Sequence, residues 1–259
     1  MEKIDRQTIR NEIINYLKTN PDTQLLHIAH HIGQRLGVDV KERFRKEIFE
    51  EIHLLLLNNI LMIGHNYAQW EHPWLELTEY GRRCIEEGSV IPLDPEGYIT
   101  QVLKELPKTD SVVMDYLKES ITAFNRDLIL SSTITLGVAS EQAMLILMES
   151  FSNYISNSQQ FKTIEDKLEG EDSIFRKYKV FKESLIQLPK NVRISFPQNF
   201  DVHIDTLFNF IRLNRNETGH PLGGGKDKNI QAANLQAFRS YLVDIYTLID
   251  YFEHNSLAK

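Results

Sequence analysis

The pattern of apolar and polar residues divides the chain into a mixed N-terminal part and a helical C-terminal part. In the first part, apolar residues recur at intervals of three and four, which predicts helices over about 5–18, 23–36 and 41–58. Two short strand-like pieces follow at 60–63 and 74–78, separated by a polar and aromatic loop. We therefore expect three helices and then a β-hairpin.

A short fourth helix is predicted directly after the hairpin, in the segment TEYGRRCIEEG. Thr78 stands at its start and Gly88 at its end, and these two residue types favour the N-cap and the C-terminal cap of a helix.

Strand signals nearly vanish from Tyr98 onward, so we expect an all-helical bundle. Helices are predicted over about 99–106, 111–130, 134–156, within 157–189, over 201–220 and over 229–252. The segment 134–156 is the most apolar, and its small residues would let another helix approach closely, so we expect it to be the central helix. The segment 157–189 is expected to contain a helix packed through Phe175, Tyr178, Phe181, Leu185 and Leu188, and its many charges predict an outward-facing insertion.

The segment Ile91–Gly97, IPLDPEG, interrupts the periodicity and marks a boundary between two domains, residues 1–92 and 98–259. A length of 259 residues suits one large domain or two ordinary ones. The connection is short, so we do not expect the two domains to be loosely tethered.

Composition and charge exclude several classes of function for this protein. The net charge of −7 argues against a broad basic face that grips nucleic acid, so any contact with a polyanion must be local. The single cysteine, Cys84, excludes an intramolecular disulfide and fits a reducing compartment. No run of 18 uninterrupted apolar residues occurs, and the start of the chain does not resemble a signal peptide. We expect a soluble, cytoplasmic protein without membrane contact.

Several polar residues occupy ambiguous positions. Glu141 and Glu149 fall among the apolar positions of the central helix, either as exposed carboxylates or as buried groups paired with a cation. His27, His30 and His31 share a helix face, as metal ligands can, but no cysteine lies near them. We expect these histidines to lie on a surface helix and predict no metal.

A second group of polar residues lies just before the last predicted helix. Arg215 and Asn216 are followed four residues later by His220, then by Pro221 and three glycines. On an ideal helix Asn216 and His220 lie about 40° apart, whereas Arg215 is roughly 140° from His220. A distorted last turn, or a second copy of the helix in a dimer, would be needed to bring Arg215 and His220 to one ligand atom.

The order of elements in residues 1–88, three helices followed by a hairpin and the sequence LTEYGRR, resembles the winged-helix domain. Winged helices often bind DNA through the third helix, and that helix would carry a basic group near its start. Its members are Lys41, Arg43, Arg45 and Lys46. Acidic residues are interleaved with them, so a solvated face, or a face that docks a protein, is the alternative.

The C-terminal residues 98–259 are similar to HEPN domains. The resemblance depends on Arg215-Asn216-x3-His220, which matches the R-x4-6-H signature with a polar residue after the arginine, and on GVASEQAMLILMES in the central helix. The resemblance implies a homodimer with the motif at its interface. It also implies a metal-independent endoribonuclease, used in toxin–antitoxin or phage-defence systems, with an antitoxin or defence protein as a further partner.

The residue types fit that chemistry. A histidine that titrates near neutrality can remove or supply a proton, so His220 is the expected general base or acid. Arginine suits the binding of a phosphate without metal or cofactor, which is the expected role of Arg215. Asn216 would orient the ring or hold a phosphate oxygen. Three further cations are expected to steer the RNA: Arg212, Lys226 and Lys228.

Three alternatives stay open. The chain can be a DNA-binding transcription regulator, with its helical half sensing a ligand or forming a dimer. It can be a HEPN-type scaffold that binds RNA or protein without catalysis. His220 can also be a residue that caps the end of a helix while Arg215 pairs with an acidic neighbour.

Overall fold

The structure is a computed structural model of the chain. It describes residues 5–37, 42–64, 74–88, 94–156, 158, 161–194, 196, 202, 204–205, 208–209, 211–212, 227–255 and 257. Eleven helices and three short strands occur among these residues, which confirms the expectation of a mainly helical protein.

Two compact units make up the chain. The N-terminal unit contains Met1–Gln101 and Asn125–Asp127, and the C-terminal unit contains Val102–Phe124 and Leu128–Lys259. The division after Gln101 falls within a helix, Pro95–Glu105, whose first turn lies in the segment IPLDPEG. Proline at the first helical position is compatible with a helix start, because that position needs no amide hydrogen.

The N-terminal unit begins with three helices and ends with a hairpin and a fourth helix. Its elements are α1 (Arg6–Thr19), β1 (Asp22–Gln24), α2 (Leu25–Arg35), α3 (Glu42–Leu57), β2 (Leu61–Ile63), β3 (Trp74–Leu77) and α4 (Glu79–Glu87). The predicted helices and both strands of the hairpin are confirmed to within two residues at each end. Apolar residues of α1, α2, α3, β2, β3 and α4 enclose one core, to which β1 contributes none.

The strand β1 was not predicted, since residues 23–24 were expected to begin the second helix. β1 pairs antiparallel with β3, so the sheet has the order β1-β3-β2, with Thr23 opposite Leu75 and Leu77 opposite Leu61. Only Thr23 of its three residues is buried. A strand this short has no alternation to detect, and pairing with a strand 50 residues later decides its conformation.

The fourth helix, α4, confirms the predicted caps. The side chain of Thr78 accepts a hydrogen bond from the Gly81 amide at 2.8 Å. Gly88 at the other end adopts a φ of 65°, the left-handed conformation that glycine reaches without strain. Local residue chemistry therefore sets both ends of this helix.

Gly81→Ala is expected to lower the free energy of unfolding by about 1–3 kcal/mol. A β-carbon at this position would lie 2.1 Å from the carbonyl oxygen of Ile60, and backbone cannot move aside as a flexible side chain can. Chemical denaturation measures the change. The matched control is Gly170→Ala, where a β-carbon meets nothing within 4 Å, and equal losses in both variants would contradict the packing argument.

Helices alone form the described part of the C-terminal unit. They are the C-terminal end of α5 (Pro95–Glu105), α6 (Ser111–Asn125), α7 (Ile129–Ile155), α8 (Lys162–Gly170), α9 (Ile174–Gln187), α10 (Lys190–Arg193) and α11 (Lys228–His254). The most extensive contact is between α7 and α11, whose buried side chains form the centre of the unit. This agrees with the expectation that the most apolar segment is the central helix.

The prediction of one helix over 111–130 was wrong. The chain leaves the helix after Asn125 and begins α7 at Ile129. Asp127 adopts a φ of 61°, which a short polar side chain tolerates better than most residues. The sequence has neither glycine nor proline here, so no strong local signal marks the break. Within α7, Glu149 is exposed and Glu141 is half-buried.

The outward-facing insertion predicted for 157–189 was also wrong. α9 packs against α7, and Phe181 makes an edge contact with Phe151 at a ring distance of 5.2 Å. Tyr178 and Leu185 are buried on the same face of α9. The charged residues of α9 occupy exposed or half-buried positions around this face, so their number does not prevent the helix from forming a layer of the core.

By length and composition, α7 can cross a membrane, and it is the one helix with this property in the part of the chain that the structure describes. In its most apolar window, 44% of the residues are buried within the protein. A core helix of a globular protein has the same properties, and the packing of α7 on α9 and α11 agrees with that role.

The segment predicted as a helix over 201–220 is helical at each of its described positions, the last of which is Arg212. Ile204, Phe208 and Ile211 are buried, and the ring of Phe208 lies 4.6 Å from that of Tyr178. This segment therefore packs on α9.

Candidate functional site

The predicted catalytic residues Arg215, Asn216 and His220 lie outside the described residues, as does Lys226. Their proposed roles therefore stay predictions. The structure does describe the two neighbouring cations that were predicted to steer RNA, Arg212 and Lys228, and the helices that carry them.

Arg212 is half-buried and stacks on an aromatic ring. Its guanidinium carbon lies 4.1 Å from the ring centroid of Phe175 on α9. This is a cation–π contact, which holds the planar guanidinium in a restricted orientation. The Nε atom is buried and has no hydrogen-bond partner among the described residues.

Lys228 is the first residue of α11. Asp227 caps the helix, because its carboxylate accepts a hydrogen bond from the Asn229 amide at 2.7 Å. The ammonium of Lys228 lies 5.6 Å from the ring centroid of Phe124 on α6. Part of its charge is thus directed to the aromatic ring. The side chain of Lys228 is half-buried, and its role in steering RNA stays a prediction.

A buried polar cluster holds the first turns of α11 in the bundle, and we did not anticipate it from the sequence. Gln231 donates to the Ser132 hydroxyl at 2.9 Å and accepts from Thr133 at 3.2 Å. The Ser120 hydroxyl donates to the Ser132 carbonyl at 2.7 Å. Asn234 donates to Gln231 at 3.4 Å. Polar residues at a spacing of three within the apolar stripe of α11 were the available sign.

Gln231→Ala is expected to lower the free energy of unfolding by about 1–3 kcal/mol, because the buried Asn234 amide loses its acceptor and the Ser132 hydroxyl loses a donor, whereas the Thr133 hydroxyl keeps the Ile129 carbonyl. Urea denaturation followed by circular dichroism measures it. Gln236→Ala is the control, since Gln236 is exposed on the same helix and its loss should change stability little. Equal effects of both substitutions would show that the cluster does not stabilise α11.

The residues predicted to contact DNA are only partly described. Lys41 and the side chain of Arg43 lie outside the described residues, whereas Arg45 and Lys46 are exposed on α3. Both line an open groove of about 1020 Å³, together with Phe49, His53 and Leu54 of α3. Arg6 and Glu50 also line it and form an ion pair. The groove is thus basic in balance, with one carboxylate that partly neutralises it.

Two of the three histidines of α2 contact other side chains. Nε2 of His30 lies 2.8 Å from the side-chain nitrogen of Gln34, and the ring of His31 lies 4.6 Å from that of Tyr16. The described residues include no group of three or more His, Cys, Asp or Glu side chains arranged to hold a metal ion.

A second cavity, of about 680 Å³, lies in the C-terminal unit between the loop that follows α5 and the helices α7 and α11. Four carboxylates line it: Glu105, Asp110, Asp250 and Glu253. Tyr246 accepts a hydrogen bond from the Asp110 amide at 2.8 Å within it. Sequence reasoning missed this cavity because its residues come from distant parts of the chain.

Comparison with known proteins returns no relative. No protein-family model matches the chain, and no curated protein or solved structure matches it. The function is therefore inferred from the residues of this chain alone.

Proposed function

We propose that the chain is a metal-independent endoribonuclease of the HEPN type, preceded by a winged-helix domain. The observation that carries the proposal is the position of Arg215-Asn216-x3-His220 in a helical unit, between a segment that is helical as far as Arg212 and the start of α11 at Lys228. HEPN domains are helical bundles with such a motif before a last helix. The central α7 and its contact with α11 support the same assignment.

The proposed reaction is attack of an RNA 2′-hydroxyl on the adjacent phosphate. His220 removes the proton of the 2′-hydroxyl as general base, and the new bond from 2′-oxygen to phosphorus forms as the bond to the 5′-oxygen breaks. The leaving 5′-oxygen takes a proton from a general acid, which the His220 of a second copy can supply. The products carry a 2′,3′-cyclic phosphate and a 5′-hydroxyl.

Arg215 is proposed to stabilise the negative charge of the pentacoordinate phosphate. A guanidinium can donate two parallel hydrogen bonds to phosphate oxygens and stays charged at every physiological pH. Asn216 would orient the imidazole, and Arg212, Lys226 and Lys228 would hold the flanking phosphates. No metal or cofactor is needed for this reaction. We further propose a cytoplasmic homodimer that acts as a toxin or phage-defence effector, with an antitoxin or defence protein as partner.

The test is cleavage of a mixed pool of single-stranded and structured RNAs by the purified full chain in EDTA. We expect fragments with 2′,3′-cyclic phosphate ends from RNA and none from DNA of the same sequences, because DNA lacks the nucleophile. Cleavage of DNA, or cleavage that EDTA abolishes, would contradict the proposal.

A second candidate function is DNA binding by the N-terminal unit, and the groove lined by Arg45 and Lys46 favours it. In winged helices the third helix enters the major groove, and these two residues lie on the third helix here. A transcription regulator would bind duplex DNA specifically without cutting RNA, so the same RNA assay together with a duplex-DNA binding assay separates the two functions. A chain that binds RNA or protein but cuts nothing would be the non-catalytic scaffold.

A further inference from the structure

A strongly basic segment occurs in this acidic protein, over residues 174–193. It contains one acidic residue, Glu183, within a chain of net charge −7. Its six cations are Arg176, Lys177, Lys179, Lys182, Lys190 and Arg193. A local excess of this size creates a positive potential at the surface that attracts anions over about a Debye length.

One cation of α9, Lys179, shares an aromatic ring with Arg212. Tyr178, Phe181 and Leu185 form the buried face of α9, and Arg176 and Lys179 are exposed away from it. Phe175 lies between the two faces and is half-buried. The ammonium of Lys179 lies 4.7 Å from its ring centroid, and the guanidinium carbon of Arg212 lies 4.1 Å from the same point. We call Phe175, Arg176, Lys179 and Arg212 the Phe175 surface.

Two of these cations are not neutralised by protein carboxylates. Lys179 and Arg212 make no ion pair within the described part of the chain, and Arg176 approaches Glu171 only at 3.8 Å. Lys182 differs, because it pairs with Asp205 at 2.8 Å. Partial burial raises the pKa of Asp205, but hydrogen bonds from Lys182 and Tyr178 outweigh it, so the pKa lies below its usual value. Lys182 therefore already has a carboxylate partner, whereas Lys179 and Arg212 have none among the described residues and can bind an anionic ligand.

From these observations we propose that the Phe175 surface binds the phosphate backbone of single-stranded RNA. Stacking on Phe175 restricts the orientations of both cations, so less entropy is lost when they bind phosphate. Cations placed beside an aromatic ring are a common arrangement in proteins that bind single strands.

The choice of RNA rather than another polyanion rests on the proposed function, because Arg212 precedes Arg215 by only three residues in the sequence. A strand bound at Arg212 would have its next phosphates near the proposed catalytic group. The carboxylates of an acidic protein could pair with the same guanidinium, so the test includes polyglutamate as a competitor.

The test measures binding separately from cleavage. A fluorescein-labelled 2′-O-methyl RNA of 20 nucleotides lacks the nucleophile and cannot be cut by the proposed reaction, so the unaltered full chain can be used. Fluorescence anisotropy at several salt concentrations gives affinity and salt dependence. We expect Lys179→Gln with Arg212→Gln to weaken binding on the order of tenfold per cation. The slope of log affinity against log salt should fall by about 0.7 per lost phosphate contact.

Lys104→Gln with Lys118→Gln is the matched control, since it removes two exposed lysines on α5 and α6. We expect this control to bind RNA as the unaltered chain does. Phe175→Leu should weaken binding less than the double variant, because it releases the cations without removing them. Thermal melting establishes that each variant is folded.

Equal losses in the double variant and the control would overturn the proposal, and so would no binding by the unaltered chain. Competition by polyglutamate as effective as competition by unlabelled RNA would assign the surface to acidic proteins and overturn the RNA assignment. The two proposals can fail separately. RNA that is bound but never cut leaves the surface standing and removes the ribonuclease. If RNA is cut but the double variant binds it normally, the ribonuclease stands and the Phe175 surface is removed as its binding site.

Discussion

His220→Ala is expected to lower the rate of RNA cleavage by about 10²–10⁴-fold, the usual contribution of general acid–base catalysis. Without the imidazole, water must accept the proton of the 2′-hydroxyl, and water is a poor base at neutral pH. Arg215→Ala is expected to lower the rate by on the order of 10²–10³-fold, because a preorganised charge at the transition-state phosphate is lost. Both losses should appear in kcat more than in KM, since neither group is assigned to bind the ground state.

Cleavage rates of a defined RNA in EDTA, under single-turnover conditions, measure these effects. His254→Ala and Arg83→Ala are the controls, since both side chains are exposed on helices of the described structure. If the protein is a dimer in which each active site combines residues of both copies, a further result is expected. Mixing His220→Ala with Arg215→Ala chains would restore part of the activity if each site takes one residue from each copy. Full activity in either single variant would remove that residue from the mechanism.

Arg10→Met is expected to lower the free energy of unfolding of the N-terminal unit by about 3–5 kcal/mol. Arg10 is 5% exposed and donates to three carboxylates, from Nε to Glu51 at 2.7 Å and from Nη1 to Asp94 at 2.8 Å and Glu96 at 2.6 Å. Burial lowers the pKa of the guanidinium, but the hydrogen bond to Glu96 and the charges of Glu51 and Glu96 outweigh it, so the pKa is raised. The group is therefore charged.

Removing Arg10 leaves Glu51, which is 0% exposed, with only a distant approach to Arg6 at 3.9 Å among the described residues, and one oxygen of Glu51 already lacks a hydrogen-bond partner there. Breaking such a pair costs more than the pair contributes, because the remaining charge stays out of water. The double variant Arg10→Met with Glu51→Met should therefore be more stable than Arg10→Met alone. Chemical denaturation of the three chains measures both differences.

Arg6→Met is the matched control, because Arg6 also comes from α1 and pairs with Glu50 of α3, but its side chain is 59% exposed and approaches Glu51 only at 3.9 Å. Exposed pairs of this kind contribute about 0–1 kcal/mol. A loss in Arg6→Met as large as in Arg10→Met would show that burial is not the reason. A double variant less stable than Arg10→Met would show that Glu51 has another role.

The elements predicted well are those whose residues form a local pattern. Helices α1, α3 and α11 have a continuous apolar stripe with the period of a helix, and α4 has its threonine and glycine caps within its own segment. Their ends were therefore predicted to within two residues. The proposed catalytic motif was also identified locally, as an arginine and a histidine five residues apart.

The features that were missed depend on residues far apart in the chain. β1 exists because it pairs with β3. The packing residues of α9 were predicted, but not their contact with α7, where Phe181 meets Phe151. The buried partners of Arg10 lie 41 and 84 residues away, and Thr133 lies 98 residues from Gln231. No short window of sequence contains both members of such a pair.

By itself, the sequence determined that the protein is mainly helical. It also determined where α1 to α4 and α11 begin and end, and which residues carry the candidate chemistry. Each of these follows from the period and type of neighbouring residues. The tertiary structure alone decided that Arg10 is buried among carboxylates and that Gln231 anchors α11 in the bundle. It alone decided that Phe175 gathers Lys179 and Arg212 at one place on the surface. Burial and ion pairing depend on which distant segments meet, and packing of the whole chain sets those meetings.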